Sequence, residues 1–364
     1  MEIIYTDKIN WQEWNNFCLH SSSGWFRHTK WFLDYVIDCR FDKKSKNLSF
    51  AIKENNKIVA IVPLIIQTIY NEPDLFEFAI GDTNTPYPAF DNYIYLDNKK
   101  NITKAIFLEI ERLAKENKVS YVRFFLDPLC DDILEKKQIY NPLPKYGFCD
   151  TSLSTNIINL TISEEDIFSR IRKGHKADIK TAIKNCFVVD IFDKENITEE
   201  KFKIYKNLHY LASGRKTRPD ESWEDMFRFI KEDYAILALE RKDKSFEYIA
   251  GIFVITYKQK AYYGSGATHP NFEKIRGIGH LLHWEVIKYL KNRRYKYYEI
   301  GWNYYPIISQ ETIDQKLLGI SHFKSGFGDT IYPLFRGEKF FSKEYFMKIY
   351  KKRLDNYANS FLCI

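Results

Sequence analysis

The sequence predicts an α/β or α+β protein built from two related halves. At about 150 residues per domain, the length of 364 residues suits two domains. Helix-like and strand-like segments alternate along the chain, which is typical of these two classes. One order of elements (helices, a strand hairpin, a further strand, a helix and a strand) occurs twice, so that residues 57–126 parallel residues 248–301. We therefore expect one domain at residues 1–150 and another at residues 151–364.

The composition is that of an ordinary globular protein with a large core. Hydrophobic residues make up 45% of the chain and charged residues 28%, which excludes wholesale disorder. Aromatic residues make up 17%, and such a share can line grooves as well as fill a core. The formal net charge of +7 permits an anionic partner without requiring one.

Cysteines and histidines show no pattern of a metal site or a disulfide framework. The six cysteines are scattered without a CxxC pair, which favours a reducing cytoplasm. His280 and His283 are close in sequence but lack further ligands nearby. No apolar stretch approaches the roughly 20 residues of a membrane span, and the N-terminus lacks a signal-peptide pattern. We expect a cytoplasmic protein without a metal or a tightly bound cofactor.

In the first half, apolar spacing and turn residues define the predicted elements. Apolar side chains within residues 31–36 recur at helical spacing. Asn55 and Asn56 join two apolar strands as a hairpin turn does, and prolines make residues 81–91 a loop. The predicted helices are residues 11–19, 28–37 and 102–117, and the predicted strands are residues 48–53, 57–68, 76–80 and 121–126.

In the second half, a helix start is marked by Ser163 and the three acidic residues after it. Three successive apolar strands then follow two amphipathic helices. The predicted helices are residues 163–185, 201–212, 220–231, 278–293 and one from about 343, and the predicted strands are residues 156–160, 234–241, 248–257, 260–267, 297–301 and 331–335.

Residues 264–279 lead from a predicted strand into a predicted helix and are rich in glycine. Glycines such as Gly277 and Gly279 let a backbone approach a phosphate closely, and a helix N-terminus offers free N–H groups and a favourable dipole. Lys274 and Arg276 add positive charge. The segment is neither a Walker loop nor a GxGxxG fingerprint. It is a candidate pyrophosphate site, and the alternative is a glycine-rich turn that caps a helix.

Two clusters of cations are candidates for binding an anionic substrate. Four cations spaced by four residues share one face of a predicted helix: Arg172, Lys176, Lys180 and Lys184. A loop before another helix carries Arg215, Lys216 and Arg218, which suits the clamping of a phosphate. Either cluster can also be an ordinary solvated surface.

Two further segments carry candidate catalytic groups. Glu299 lies just before an aromatic cluster with Trp302 and Tyr305, which are candidate substrate-binding residues. Glu299 can act as a general base if its surroundings raise its pKa. Otherwise it is an ordinary strand carboxylate. Lys324 lies between aromatic residues and near glycines, where its charge can meet a developing negative charge. Its alternative is a lysine that reaches from a turn into solvent.

Five segments, taken in order, carry a family resemblance. They are Trp25-Phe26-Arg27-His28-Thr29-Lys30-Trp31-Phe32, the strand 58–64 ending in Pro-Leu, Asn159-Leu160 with the helix 164–184 after it, residues 281–287, and Phe323-Lys324-Ser325-Gly326-Phe327-Gly328. The last segment matches a Phe-Lys-x-x-Phe-Gly motif and is the most specific. Together the segments resemble the FemAB-like transferases of bacterial cell-envelope synthesis, the peptidoglycan bridge-forming type, which belong to the double-GNAT class.

The resemblance implies two tandem GNAT-like domains, that is, domains of the acyl-CoA N-acyltransferase fold, with mixed central sheets. It implies transfer of an aminoacyl or acyl group to a primary amine of a phosphate-bearing, nucleotide- or lipid-linked sugar or peptide. By this resemblance, Lys324 stabilises charge near the reacting carbonyl or holds an acceptor phosphate, and Phe323 shapes the pocket. Arg215 and Arg218 would contact acceptor phosphates, with Lys176 as a further candidate.

The donor stays open between aminoacyl-tRNA and acyl-CoA. Members of the resembled family use aminoacyl-tRNA, and relatives of the class use acyl-CoA. This sequence lacks the long coiled-coil insertion of some members, and residues 274–279 keep the basic-x-x-Gly-x-Gly shape of acyl-CoA-using GNATs. Two other functions are a nucleic-acid-binding module, whose affinity would depend steeply on salt, and a non-catalytic partner of such a transferase.

The predicted C-terminal helix is basic on one side and apolar on the other. Its cations are Lys348, Lys351, Lys352 and Arg353, and its apolar residues include Phe346, Ile349 and Tyr350. Such a helix can contact the anionic inner-membrane surface. We favour a helix that docks on its own protein.

Overall fold

A computed structural model describes residues 1–69, 72–78, 85–135, 139–305, 307, 315–328 and 330–361. Up to residue 150 the elements are β1 (Glu2–Tyr5), α1 (Trp11–His20), α2 (Lys30–Asp38), β2 (Lys43–Asn47), β3 (Phe50–Glu54), β4 (Lys57–Val62), β5 (Ile65–Ile69), β6 (Glu72–Phe78), β7 (Thr85–Pro86), β8 (Ala89–Phe90), α3 (Leu96–Glu116), β9 (Val119–Phe125), α4 (Asp131–Leu134) and β10 (Cys149–Asp150).

The later elements are β11 (Leu153–Asn159), α5 (Glu164–Arg170), α6 (Lys173–Lys184), β12 (Phe187–Phe192), α7 (Glu199–Ser213), α8 (Asp220–Lys231), β13 (Ala235–Lys242), β14 (Tyr248–Tyr257), β15 (Lys260–Thr268), α9 (His280–Asn292), β16 (Tyr297–Asn303), α10 (Gln315–Lys324), β17 (Ile331–Leu334), β18 (Arg336–Phe340) and α11 (Lys343–Phe361).

The chain forms two compact units. Unit 1 comprises Met1–Ser154, Tyr304–Gly319 and Pro333–Ile364, and unit 2 comprises Thr155–Asn303 and Ile320–Tyr332. The predicted boundary after residue 150 lies close to the first crossing, but the predicted domain of residues 151–364 extends too far at its end. The chain returns to unit 1 because β18 pairs with β9 in an antiparallel ladder.

Unit 1 contains a four-stranded sheet, β1-β3-β4-β8, and a larger sheet, β10-β18-β9-β6-β5-β2, with β7 also on β9. The predicted hairpin turn is confirmed, since Asn55 and Asn56 have φ of +49° and +61° between β3 and β4. The predicted strand 57–68 is wrong as one strand, because β4 and β5 belong to different sheets. Parts of the predicted strand 76–80 and loop 81–91 fall on residues 79–84, outside the described residues.

Helix α11 docks on unit 1 rather than presenting its whole apolar face to solvent. Arg353 is 1% exposed, and its guanidinium forms an ion pair with the buried Glu338 of β18. Tyr350 donates a hydrogen bond to the same carboxylate at 3.0 Å. The ring of Phe346 lies 5.2 Å from that of Phe340, centre to centre. Lys348, Lys351 and Lys352 are exposed.

Unit 2 is built on a seven-stranded sheet in the order β12-β13-β14-β15-β16-β11-β17. Strands β12 to β15 are antiparallel neighbours, and β15 pairs with β16 in parallel. Helix α9 connects this parallel pair and buries Leu281, Val286 and Leu290 in the core of unit 2. Helix α6 contributes Ile179 and Ala182 to the same core.

The predicted helix 163–185 is wrong as one helix, although its start at Ser163 is confirmed by a hydrogen bond from the Asp166 N–H to the Ser163 hydroxyl at 3.0 Å. Helices α5 and α6 are separated because Arg172 has an extended ψ of 141°. The Arg172 N–H donates to the carbonyl oxygen of Gly326 at 2.9 Å instead of to a carbonyl of the preceding helical turn. In the described segments, no helix combines the length and apolarity needed to cross a membrane.

Candidate active site

The strands β15 and β16 run side by side only at their beginnings. Their register pairs Lys260 with Tyr297 and Tyr262 with Glu299 at its two ends. Beyond this point β15 stays paired with β14 up to Thr268, while β16 lies beside β11. Two parallel strands that separate leave a gap in the sheet.

A β-bulge in β15 lies at the beginning of the gap. The register pairs Val254 with Tyr263 and Phe253 with Ser265, so that Gly264 is the extra residue. A bulge increases the local twist and turns a strand away from its neighbour. The hydroxyl of Tyr205 on α7 donates to the Ser265 carbonyl oxygen at 3.0 Å and supports the displaced strand.

Lys324, at the end of α10, reaches into this gap. A Cβ built on Gly301 would lie only 2.5 Å from Lys324 Nζ. The ammonium is 5.5 Å from the centre of the Tyr263 ring, within range of a cation–π contact. Burial lowers the pKa of Lys324, and the charge of Glu299 opposes this shift. The two predicted catalytic residues, Lys324 and Glu299, are therefore close enough for their charges to interact.

Glu299 lies two residues before Gly301 on β16 and is fully buried. Its Oε1 accepts a hydrogen bond from the Thr155 hydroxyl at 2.7 Å. A buried carboxylate is stable only with such partners or with a nearby cation. The charge of Glu299 favours the charged form of Lys324, and a catalytic role of Glu299 as general base stays a prediction.

The segment that carries Lys324 is held by the first turn of α6. His175 Nε2 donates to the Phe323 carbonyl oxygen at 2.8 Å, and Arg172 Nη2 donates to the His322 carbonyl oxygen at 3.0 Å. No Cβ fits on Gly326, because the His175 ring lies against it. The sequence predicts Arg172 as part of an anion-binding stripe, but its guanidinium and its backbone N–H both bind this segment instead.

Neutral rings pack beneath the gap. Phe323 contacts His175, His280, His283 and Phe327, with ring centres 4.9 to 5.8 Å apart. Burial lowers the pKa of His280 to about 4 and that of His283 to about 3. These histidines are uncharged at neutral pH, so they add no positive charge beside Lys324.

The glycine-rich segment 274–279 opens α9 as predicted, with Gly277 and Gly279 at φ of +97° and +82°. Two carboxylates that sequence reasoning missed contact it. Arg276 forms an ion pair with Asp178 of α6. The Gly279 N–H donates to Oε2 of Glu240 on β13 at 3.1 Å. Burial raises the pKa of Glu240 to about 7. Lys274 is exposed.

The remaining predicted binding residues are dispersed. Arg215 is exposed on the α7–α8 loop, whereas Arg218 lies over the Trp223 ring at 4.8 Å from its centre. Lys176 Nζ donates to the Ser169 carbonyl oxygen at 3.0 Å. Trp302 lies on β16, and Tyr305 lies in unit 1, where its hydroxyl is 2.6 Å from that of Ser154. Their predicted contacts with substrate stay predictions.

No local signal in the sequence points to His175, Asp178 or Glu240. Their partners at positions 323, 276 and 279 are 148, 98 and 39 residues away along the chain. Each pair meets only because the sheet of unit 2 brings distant elements together. Among the described residues, no cluster of three or more histidine, cysteine, aspartate or glutamate side chains is arranged to hold a metal ion.

Residues 187–307 match the family model of the acetyltransferase (GNAT) domain. This stretch runs from β12 beyond the end of β16 and includes the separating pair of strands. A search of curated proteins found no significant match.

Three solved structures are similar to this chain over nearly its full length. FemX is 14% identical, with a TM-score of 0.65, over 96% of this chain and 100% of FemX. L-PGS from Bacillus licheniformis is 11% identical, with a TM-score of 0.57, over 95% of this chain and 96% of L-PGS. A tandem GNAT protein from the clavulanic acid biosynthesis pathway is 9% identical, with a TM-score of 0.51, over 93% and 98% of the two chains.

These similarities confirm the predicted fold. The chain is an α/β protein with two tandem GNAT-like domains. The resemblance to FemAB-like transferases of the double-GNAT class is confirmed at the level of the fold, since FemX is matched over its entire length.

Proposed function

We propose that this protein transfers an acyl or aminoacyl group to a primary amine in the gap between β15 and β16. The observation that carries the proposal is the position of the Lys324 ammonium, which lies against Gly301 in this gap. The gap belongs to the stretch that is similar to the acetyltransferase (GNAT) domain. The fold similar to that of FemX supports the same reaction class.

The reaction needs little covalent help from the protein. The nitrogen of a neutral amine attacks the carbonyl carbon of an ester or thioester, so that a C–N bond forms and a C–O or C–S bond breaks. The amine loses a proton, and the leaving oxygen or sulfur takes one up. Holding the two reactants together lowers the barrier, and a cation or N–H group beside the carbonyl oxygen stabilises the tetrahedral intermediate.

In this proposal Lys324 stabilises the developing oxyanion, and a backbone N–H near Gly266 is a second candidate for that role. Glu299, directly or through water, accepts the proton of the amine. Phe323 shapes the wall of the pocket, since its ring packs between the buried histidines. His175 and Arg172 are positioning residues, because they bind the backbone on either side of this ring.

We propose that the acceptor is a cell-envelope precursor, namely a peptide amine or an amino sugar carried on a nucleotide or a lipid. Such a molecule carries phosphate, which requires cations on the protein. Arg215 is exposed on the α7–α8 loop, and Lys180 and Lys184 are exposed on α6. The sequence resemblance to FemAB-like transferases supports this acceptor class.

The test is a transfer assay with matched lysine variants. The purified protein is offered acetyl-CoA or aminoacyl-tRNA together with nucleotide-linked stem peptides and amino sugars, and products are detected by mass spectrometry. We expect Lys324→Met to lower kcat/KM by about 10²- to 10³-fold, as loss of an oxyanion partner does. Lys351→Met, which changes an exposed lysine of α11, is the control and should match the wild type. Transfer by Lys324→Met within twofold of the wild type, or no transfer from either donor, would overturn the proposal.

A further inference from the structure

The start of α9 looks open to a donor diphosphate when only the sequence is considered. Such a group needs N–H groups without partners and a surplus of positive charge at the helix start. Close approach is possible here because Gly277 and Gly279 carry no side chains. On the other side of the turn, a Cβ on Gly277 would lie 2.5 Å from the Asp178 carbonyl oxygen, so the α6 backbone passes directly against it.

A buried carboxylate already occupies one of the N–H groups of this helix start. Glu240 is fully buried on β13, on the sheet face where Ala238 and Ile236 join the core that α9 covers. Its Oε2 accepts from the Gly279 N–H at 3.1 Å. Within the part of the chain that the structure describes, Oε1 has no hydrogen-bond partner. A carboxyl group is therefore fixed beside the first turn of α9, and it is anionic above its raised pKa of about 7.

A second carboxylate neutralises one of the two cations of the turn. Asp178 on α6 forms an ion pair with Arg276, the basic residue closest to the two glycines. The other oxygen of Asp178 lies 3.5 Å from His280 Nε2, in the first turn of α9. Glu240 and Asp178 thus approach the same turn from a strand and from a helix. Together they oppose the positive end of the helix dipole.

We propose that Glu240, assisted by Asp178, is a donor-specificity residue that excludes the diphosphate of coenzyme A from the start of α9. A diphosphate placed there would lose the Gly279 N–H to Glu240 and would meet the negative charge of the deprotonated Glu240 carboxylate. It would also find the Arg276 guanidinium already paired with Asp178. This inference rests on the proposed function only in treating coenzyme A as the carrier of a possible acyl donor. Of the two donor classes that the sequence leaves open, this arrangement favours an aminoacyl ester, which places no diphosphate at this turn.

The experiment measures binding rather than turnover, so its outcome does not depend on whether transfer occurs. Coenzyme A is titrated calorimetrically into the full-length wild type, Glu240→Ala, Glu240→Gln and Glu247→Ala at about pH 8. Glu247 is exposed on the β13–β14 turn, so Glu247→Ala removes the same charge from outside the site. We expect a Kd weaker than about 1 mM for the wild type and for Glu247→Ala. Glu240→Ala should bind at least about tenfold tighter, as removal of one nearby like charge allows, and inorganic pyrophosphate should compete.

Two results overturn the inference. One is a micromolar Kd of the wild type for coenzyme A that pyrophosphate competes away. The other is a folded Glu240→Ala or Glu240→Gln protein that binds no more tightly than Glu247→Ala. If circular dichroism shows that the Glu240 variants are unfolded, Asp178→Asn decides the question, because Asp178 is only partly buried. It should gain affinity for pyrophosphate through the released Arg276, and an unchanged affinity would refute the inference.

Discussion

The side chain of Lys324 occupies the space in which a side chain at position 301 would begin. A Cβ built on Gly301 would lie 2.5 Å from Lys324 Nζ and 3.1 Å from its Cε. Gly301 also has φ of +120°, which L residues rarely adopt. Position 301 therefore requires glycine both for space and for its backbone conformation. It lies where β15 and β16 separate.

Gly301→Ala should therefore damage the site and the fold together. The methyl group forces the Lys324 ammonium out of the gap, and the backbone strain costs about 1–3 kcal/mol. We expect kcat/KM to fall by at least the factor of about 10² predicted for Lys324→Met. Urea unfolding and the transfer assay measure the two effects separately.

Gly319→Ala is the matched control for this substitution. Gly319 lies in α10 without positive φ, and a methyl group added there would meet open space, so alanine should stabilise the helix by about 0.5–1 kcal/mol. Wild-type activity in Gly301→Ala would show that Lys324 does not act from its place in the gap.

His175→Ala should slow catalysis by releasing the segment that carries Lys324. The substitution removes the N–H that binds the Phe323 carbonyl oxygen at 2.8 Å, at a cost of about 1–3 kcal/mol in stability. A displacement of Lys324 of about 1 Å should lower kcat by roughly 10²-fold, with little change in KM. His175→Gln keeps a donor and should recover part of the lost kcat.

The control for His175 is His20→Ala, an exposed histidine of α1 in unit 1. It should leave kcat unchanged. If the activity of His175→Ala falls only in proportion to its folded fraction, then the residue is structural and does not position Lys324.

The local elements of unit 2 were predictable, whereas the contacts of its candidate site were not. The strand 248–257 and the helix 220–231 have the bounds that the sequence predicts, because each carries its own apolar pattern. The helix break near Arg172 was missed because the competing hydrogen-bond acceptor, Gly326, is far along the chain. The Phe-Lys-x-x-Phe-Gly motif predicts Lys324 as a site residue. The contact of Lys324 with Gly301, however, depends on how β15 and β16 separate.

The buried histidines should make the protein sensitive to mild acid. The pKa of His283 is lowered to about 3 and that of His280 to about 4, from an ordinary 6.5, because both are buried. The unfolded chain takes up these protons below about pH 6.5 and the native state does not. Stability is therefore complete above that pH and falls as the pH drops towards 4, by up to roughly 1.4 kcal/mol per pH unit for each histidine.

Glu240 contributes with the opposite sign. Its raised pKa of about 7 means that the native state keeps a proton that the unfolded chain loses above about 4.5, so this contribution is lost as the pH rises. In urea unfolding between pH 5 and 6.5, His283→Gln should flatten the pH dependence and Glu240→Gln should steepen it. The exposed control His20→Gln should leave the pH dependence of stability unchanged. If His283→Gln also leaves it unchanged, His283 is not the source of the acid sensitivity.

Arg353→Met should destabilise unit 1 by detaching α11. The substitution leaves the Glu338 carboxylate buried without its main cation, which typically costs 3–5 kcal/mol. Arg123 Nη2 lies 3.3 Å from the same carboxylate and still partly neutralises it. The free energy of unfolding should therefore fall by about 3 kcal/mol, the lower end of that range. The free energy of unfolding is the measurement, and Lys352→Met, an exposed neighbour, is the control. A loss below about 0.5 kcal/mol would show that α11 does not depend on this ion pair.

Glu299→Gln separates the two roles considered for that carboxylate. Gln keeps the hydrogen-bond partner of Thr155 but removes the charge that raises the pKa of Lys324. If Glu299 acts through Lys324, the variant should lose activity at a lower pH than the wild type, because burial then lowers the pKa of Lys324 unopposed. If Glu299 is the general base, kcat should instead fall by about 10²- to 10⁴-fold across the whole pH range. The pH profile of kcat/KM distinguishes the two, and a profile equal to that of the wild type excludes both, since each role requires the negative charge beside Lys324.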